Sequence, residues 1–451
     1  MFVPQLDKTL GLEVYATDTV GIGGVIRGSV DDFVVEETLV DGSVARIYDN
    51  TGIHALGASD KKQRCLLCVL VKRNWDTFVA LKNIATQLGI DQSRIHIAGI
   101  KDAKAVTAQH IAIENISVED TQKIHIKDVY VFPVGYFRDA LSSFYLLGNR
   151  FTITISELEL AQTTIKERVT GTIQKLEAVG GIPNFFGHQR FGTARPITHR
   201  VGKAIVNGDF KRAAMLFLSE PNSYEHPESR QARTELAETE DFAKASQNFP
   251  KQLRFERLML RHLSEEATDF VGAFQRLPFK LQMLFVQAYQ SFLFNRFLSE
   301  RIRRELPLDA SEVGDFVVNL ERSGLPMPKT GKLVTSGSLA EVNKMIKAGK
   351  LRVALPLVGC RQKLSEGVMG KIQEQILESE DMEPGRFRVT EIPRISGQGE
   401  LRAIVSPAKQ FRVHSVGEGR AKLGFKLLRG SYATVLLREL MKPCDPVLAR
   451  F

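Results

Sequence analysis

The sequence predicts an α+β protein in which one domain is interrupted by another, and three observations lead there. Over roughly the first 200 residues short strands and helices are mixed, and several strands stand close enough in sequence to pair antiparallel. The regular strand–helix alternation of a doubly wound fold is missing. Near Val201 the chain turns richer in helix and charge, and from Arg394 onward it returns to strand-like text. At 451 residues it is also too long for one average domain. A first domain of residues 1–200 completed by 391–451, with an insertion at 201–390, accommodates all three.

Taken in order, Gly21 to Gly24 punctuates the start, and Val25-Ile26 and Phe33 to Val35 read as short strands around a turn at Gly28 to Asp32. Leu66 to Val71 is an apolar run of strand length. Phe78, Leu81, Ala85 and Leu88 recur at helical spacing, and Gly89 closes that helix. Ile95 to Ala98 predicts a strand feeding the loop Gly99 to Asp102, and extended character returns at Gln109 to Ile113. Phe151, Ile153 and Ile155 alternate with threonines, which marks a half-exposed strand. A second helix carries Ile165, Val169, Ile173 and Leu176 and stops at Gly180-Gly181. Ser229 to Gln247, the aromatic stretch Phe285 to Phe297, and Ala433 to Met441 are the later helices.

Composition narrows the function. With 43% hydrophobic and 25% charged residues and no low-complexity tract, the chain is globular rather than disordered. No apolar run approaches the roughly 20 residues needed to cross a bilayer, and Met1 to Asp18 lacks the pattern of a secretory leader. A cytoplasmic protein is expected. Cys65 and Cys68 form a CxxC, but on a strand residues three apart face opposite ways, so buried thiols are expected rather than zinc ligands. The net charge of +9 favours a polyanionic partner, and the basic residues are spread along the chain as a folded cleft requires. Lys329 to Lys332 lacks the glycine and hydroxyl of a phosphate-binding loop, and no dinucleotide, zinc-protease or serine-hydrolase motif occurs. Neither cofactor nor metal is expected, so any catalysis falls to side chains.

Three separated segments carry a resemblance. Ala98 to Gln109 (AGIKDAKAVTAQ) is similar to the pattern G-x-K-D-x-x-A-x-T-x-Q. Pro183 to Gly192 (PNFFGHQRFG) is similar to P-N-[YF]-F-G-x-Q-R-F-G, and Ala288 to Asn295 (AYQSFLFN) to A-Y-Q-S-x-L-[FW]-N. Weaker echoes stand at Asp32 to Glu37, Gly148 to Phe151 and Gly430 to Thr434. In this order they resemble the TruD family of tRNA pseudouridine synthases. The resemblance implies a pseudouridine synthase fold, a mixed and largely antiparallel sheet flanked by helices, with an inserted α/β TRUD domain and an RNA cleft between the two. It also implies a tRNA partner and isomerisation of the thirteenth nucleotide, a uridine in the D-arm. A monomer is expected, without membrane or metal.

Turning uridine into pseudouridine breaks the N-glycosidic bond and rejoins the base through C5. That needs a carboxylate, a proton relay and a pocket that holds the detached base. The resemblance makes Asp102 the catalytic aspartate, and its place on a strand-to-loop turn lets it project into a cleft. Attack at C1′, attack at C6, or removal of a sugar proton would each employ it. A cation beside it would keep it ionised. The resemblance implies a basic side chain paired with it; the candidates are Arg27, which stands where the family places a basic residue before the D-F-x-V strand, and the neighbour Lys101, Arg27 being preferred because consecutive side chains diverge, with Lys101 free to face a phosphate. By resemblance Phe186 stacks on the extruded base and Asn184 lies near it. Gln189 and Arg190 serve either the RNA or the fold. The stripe of Phe285, Tyr289 and Phe292 is expected to be core of the inserted domain. Ala103, Phe144, Leu147 and Leu428 depart from the family pattern, which bears on RNA contacts more than on chemistry. The alternative is a non-catalytic RNA-binding or RNA-folding protein on the same scaffold.

Overall fold

The computed structural model describes residues 2–48, 52, 54–192 and 195–451. The first strands are β1 (Phe33–Leu39), β2 (Cys65–Arg73), β3 (Ile95–Ile97), β4 (Val106–Glu114), β5 (Val129–Phe137) and β6 (Leu146–Ile155). A short β7 (Ile182–Pro183) precedes the helical region, which also carries β8 (Phe316–Leu320), β9 (Pro326–Leu333), β10 (Leu351–Leu357) and β11 (Glu400–Ala403). The chain ends through β12 (Val405–Ser406), β13 (Lys409–Gly417), β14 (Arg420–Leu428) and the helix Ala433–Met441.

The main sheet runs β13-β14-β6-β1-β4-β2-β5, with β3 added against β4. Only β1 and β4 pair parallel; the other pairs are antiparallel. β2 is an unbroken apolar run because both its faces are covered. Leu66, Cys68 and Leu70 pack against Leu81 and Ile84 of the helix Thr77–Leu88, while Cys65 and Leu67 face Leu39 and Phe137. The two thiols of the CxxC therefore point to opposite sides of the sheet. Asp76 caps that helix by accepting from the Phe78 and Val79 amides, and Gly89 ends it in the left-handed conformation. Val25-Ile26, expected as a strand, makes only an isolated bridge from Val25 to Ser156, because Gly23, Gly24 and Arg27 all take positive φ.

A second sheet runs β11-β10-β8-β9. The sequence places a return to the first domain at residue 391. Glu400 to Ala403 still pairs with β10, and the crossing back falls at Ile404, before β12 joins β7. The apolar text before it closes the second sheet, so composition could not reveal the sheet change. The expected helix over Ser229 to Gln247 is two, Pro227–Thr239 and Phe242–Asn248, broken at Glu240, whose φ is 47°. The long helix Phe279–Arg303 buries Phe285 and Tyr289 of the expected stripe but leaves Phe292 half-buried, while Phe294 and Phe297 are buried. It also reaches across. Asn295 accepts from the Phe186 amide at 2.8 Å and donates to the Phe186 and Leu10 carbonyls, tying the inserted region to the first domain.

Candidate active site

β1 and β3 share one edge of β4. β1 occupies it at Val106 to Ala108, and β3 at Ile111 to Ile113. In the gap between them the backbone must find side-chain partners. The His110 amide donates to Glu37 Oε1 at 2.9 Å, and Gln109 Nε2 donates to the Gly99 carbonyl at 3.1 Å. The loop from β3 to β4 leaves the sheet at this split, and Lys101 turns inward to meet Glu37 at 2.5 Å. Glu37 and His110 are fully buried. Burial pushes the Glu37 carboxyl up, but the Lys101 ammonium and His110 outweigh it and hold it below its ordinary range. Lys101 thus fixes the loop, and its ammonium is too buried to face a phosphate as the sequence suggested. Asp102, the next residue, turns outward, its side chain 36% exposed.

Two cations hold Asp102 from different parts of the chain. Arg27 Nη2 lies 3.3 Å from Asp102 Oδ1. Its backbone sits at φ 57°, uncommon for a non-glycine residue, and its guanidinium lies 4.2 Å over the Phe33 ring. Arg27 Nη1 donates to the Arg450 carbonyl and Arg450 Nη1 to the Arg27 carbonyl, each at 3.0 Å. Burial lowers the Arg27 guanidinium from its ordinary value and Asp102 opposes this. On the other side Lys72, fully buried on β2, donates to the Asp102 carbonyl at 2.7 Å and the Trp75 carbonyl at 2.8 Å. Burial pulls the Lys72 ammonium down to about 8, against the pull of Asp102 and Asp76.

The second motif forms one wall of a cavity of about 840 Å³ between the two sheets. Asn184, Phe186 and Arg190 line it; Gln189 does not, being exposed and bonded to the Thr434 hydroxyl. Gly187 permits this packing, since a Cβ there would meet the same Thr434 oxygen at 2.6 Å. Phe186 is buried, edge-on to Phe294, with the Arg402 guanidinium 4.0 Å over its ring. Arg402 also donates to the Asn184 carbonyl and side-chain oxygens and to the Gly430 carbonyl, and burial lowers it to about 10. Arg190 bonds Ser291 and Gln287 of the long helix. Arg190, Arg402 and Arg429 line the cavity, and among the described residues none has a carboxylate at ion-pair distance. Glu400 is the acid on the wall. Asp102 does not line this cavity. Leu146 does, and it also packs at Gly99, at the start of the Asp102 loop.

A carboxylate paired with arginine beside a cavity of unpaired arginines suits a polyanion whose reaction needs only a carboxylate. A family model for tRNA pseudouridine synthase D (TruD) matches residues 9–440. The chain belongs to the TruD family. It is 37% identical over 452 residues to the "Probable tRNA pseudouridine synthase D" of Methanosarcina acetivorans, covering 99% of each chain. With the protein of the same name from Methanococcoides burtonii it shares 35% over 445 residues, 98% of each. A crystal structure described as the "Putative tRNA pseudouridine synthase D (TruD)" from Methanosarcina mazei superposes over 100% of both chains with a TM-score of 0.82 and 34% identity. The α+β pseudouridine synthase fold is therefore present, and the enzyme class of the TruD family is RNA isomerase. No helix among the described residues is long and apolar enough to cross a membrane.

Sequence reasoning missed Lys72, Glu37, Arg402 and Arg450. Lys72 had a signal, a lone lysine at the end of an otherwise apolar strand. Arg402 and Arg450 had none, because their partners lie hundreds of residues away.

Proposed function

We propose that this chain isomerises a uridine of tRNA to pseudouridine, with Asp102 as the essential carboxylate, Arg27 as its cation and the cavity as the seat of the RNA. The thirteenth nucleotide in the D-arm is the target we infer from the family resemblance. The observation that carries the reading is the Arg27–Asp102 pair, a half-exposed carboxylate kept beside a cation on a loop fixed from behind by Lys101 and Lys72. The uncompensated arginines of the cavity support the RNA. Isomerisation breaks N1–C1′, forms C5–C1′, and moves the C5 proton off as N1 gains one. The net reaction consumes no co-reactant. Phe186, with Arg402, would support the base, and Asn184 its surroundings. We further propose that the enzyme acts in the cytoplasm as a monomer, residues 201–390 and the strand that follows forming the inserted TRUD unit.

Pseudouridine mapping of tRNA from cells with and without the protein tests this, with complementation by wild type or Asp102→Asn. A D-arm pseudouridine that disappears and returns only with wild type is expected. In vitro, Asp102→Asn should lower kcat by about 10³-fold or more while tRNA binding persists. Full rescue by Asp102→Asn would replace the reading with an RNA-binding or RNA-folding role.

A further inference from the structure

We propose that Phe144 is a second stacking platform, which receives an unstacked base adjoining the converted uridine while Arg429 meets the neighbouring phosphate. This rests on the RNA reading above and goes beyond it, since the sequence marks Phe144 only as a departure from the family pattern. The ring is 81% exposed on the wall of the cavity. Burying a phenylalanine removes a large apolar area from water, so a ring held outward forgoes that gain. Its loop is fixed on both sides. The Tyr145 amide donates to the Ser142 carbonyl at 3.0 Å, and the Tyr145 carbonyl accepts from the Val40 amide at 2.9 Å. The Tyr145 ring packs edge-on against Phe137 at 5.6 Å. Arg429 donates to the Ser143 carbonyl, next to Phe144, and has no carboxylate partner among the described residues. A flat apolar ring beside an unpaired guanidinium matches one nucleotide, base on ring and phosphate on cation. Phe186 cannot take this role, because Arg402 already covers its ring.

The test uses the full chain and an unmodified tRNA transcript with 2-aminopurine beside the target uridine. Phe144→Ala should weaken Kd about tenfold, equivalent to about 1.4 kcal/mol, raising KM with little change in kcat. Phe144→Trp should keep the affinity and quench the 2-aminopurine more strongly, while Phe144→Leu should fall with Ala. Unchanged binding by Phe144→Ala, or wild-type affinity of Phe144→Leu, overturns the platform and leaves the isomerase standing. Binding by wild type without conversion overturns the isomerase reading, and the Kd comparison still decides Phe144. If wild type does not bind the transcript, both are overturned.

Discussion

The surroundings of Asp102 and the wall of the cavity are built on opposite principles. Around Asp102 the cations that set its loop find their partners within the protein, Lys72 in two carbonyls and Lys101 in Glu37, and the His110 amide meets the same carboxylate. Their burial makes the arrangement stiff, since moving one leaves a charge unpaired in a dry interior. The cavity wall instead carries arginines without carboxylates and an outward phenylalanine. The first region is finished before substrate arrives and the second is completed by it. On the function proposed above, the contrast would separate chemistry, which depends on preorganisation, from affinity, which depends on charge and ring surface open to a ligand.

After Asp102 itself, the largest effect should come from Arg27. Removing a preorganised group that stabilises charge costs about 10²–10³ in kcat, and we expect Arg27→Ala near the lower figure, with Kd for tRNA within about twofold of wild type. Arg27→Lys should recover part of the loss, because a single ammonium cannot reproduce bonds to both Asp102 and the Arg450 carbonyl. Single-turnover rates and filter binding measure the two quantities. A fall in affinity as large as the fall in rate would put Arg27 in the binding region and break the contrast.

Phe186 lies where the two regions meet, and its loss should register in both. Its ring carries the Arg402 guanidinium at 4.0 Å, so on the reading proposed above Phe186 serves the base through that cation, and Phe186→Ala should lower kcat/KM about tenfold. The ring is also core, edge-on to Phe294. Thermal melting must therefore accompany the kinetics, and Phe186→Leu, which keeps most of the volume, is the cleaner variant. A folded Phe186→Leu with wild-type kcat/KM would show that Phe186 only packs.

How much of this was legible in the sequence follows from how local each contact is. The helix Thr77–Leu88 could be read with its closing Gly89 because cap and stripe lie within a dozen residues. Asp102 was legible as part of a contiguous motif. Its pairing with Arg27 was expected by resemblance, and the 3.3 Å contact now supplies the geometry. Lys101 misled, because sequence shows a lysine in a turn but not the gap between β1 and β3 that draws it inward to Glu37. The sheet that β11 joins was not legible for a related reason: it is strand-like text, and its partner β10 lies far upstream. Phe144 registered only as a departure from a pattern, since exposure is a property of the fold.

The smallest effect should be a pH response of Lys72. Burial lowers its pKa from 10.5 to about 8, so in the folded enzyme its charge is lost as pH rises through 8. A neutral amine still donates to the Asp102 and Trp75 carbonyls, so the loop should hold. What disappears is a positive charge beside the carboxylate, and kcat should fall a few-fold between about pH 7 and 9. Stability should move the other way. The unfolded chain keeps its proton up to about 10.5, so between 8 and 10.5 it binds more protons than the folded one, and this group's contribution makes the protein more stable as pH rises. Below 8 both states are protonated and the contribution is flat. Rates of Lys72→Arg relative to wild type, on the same transcript so that titration of the RNA cancels, isolate the effect. Arginine keeps its charge throughout, so the ratio should climb with pH through 8, whereas a flat ratio from a folded variant would mean that Lys72 holds the loop without tuning the carboxylate.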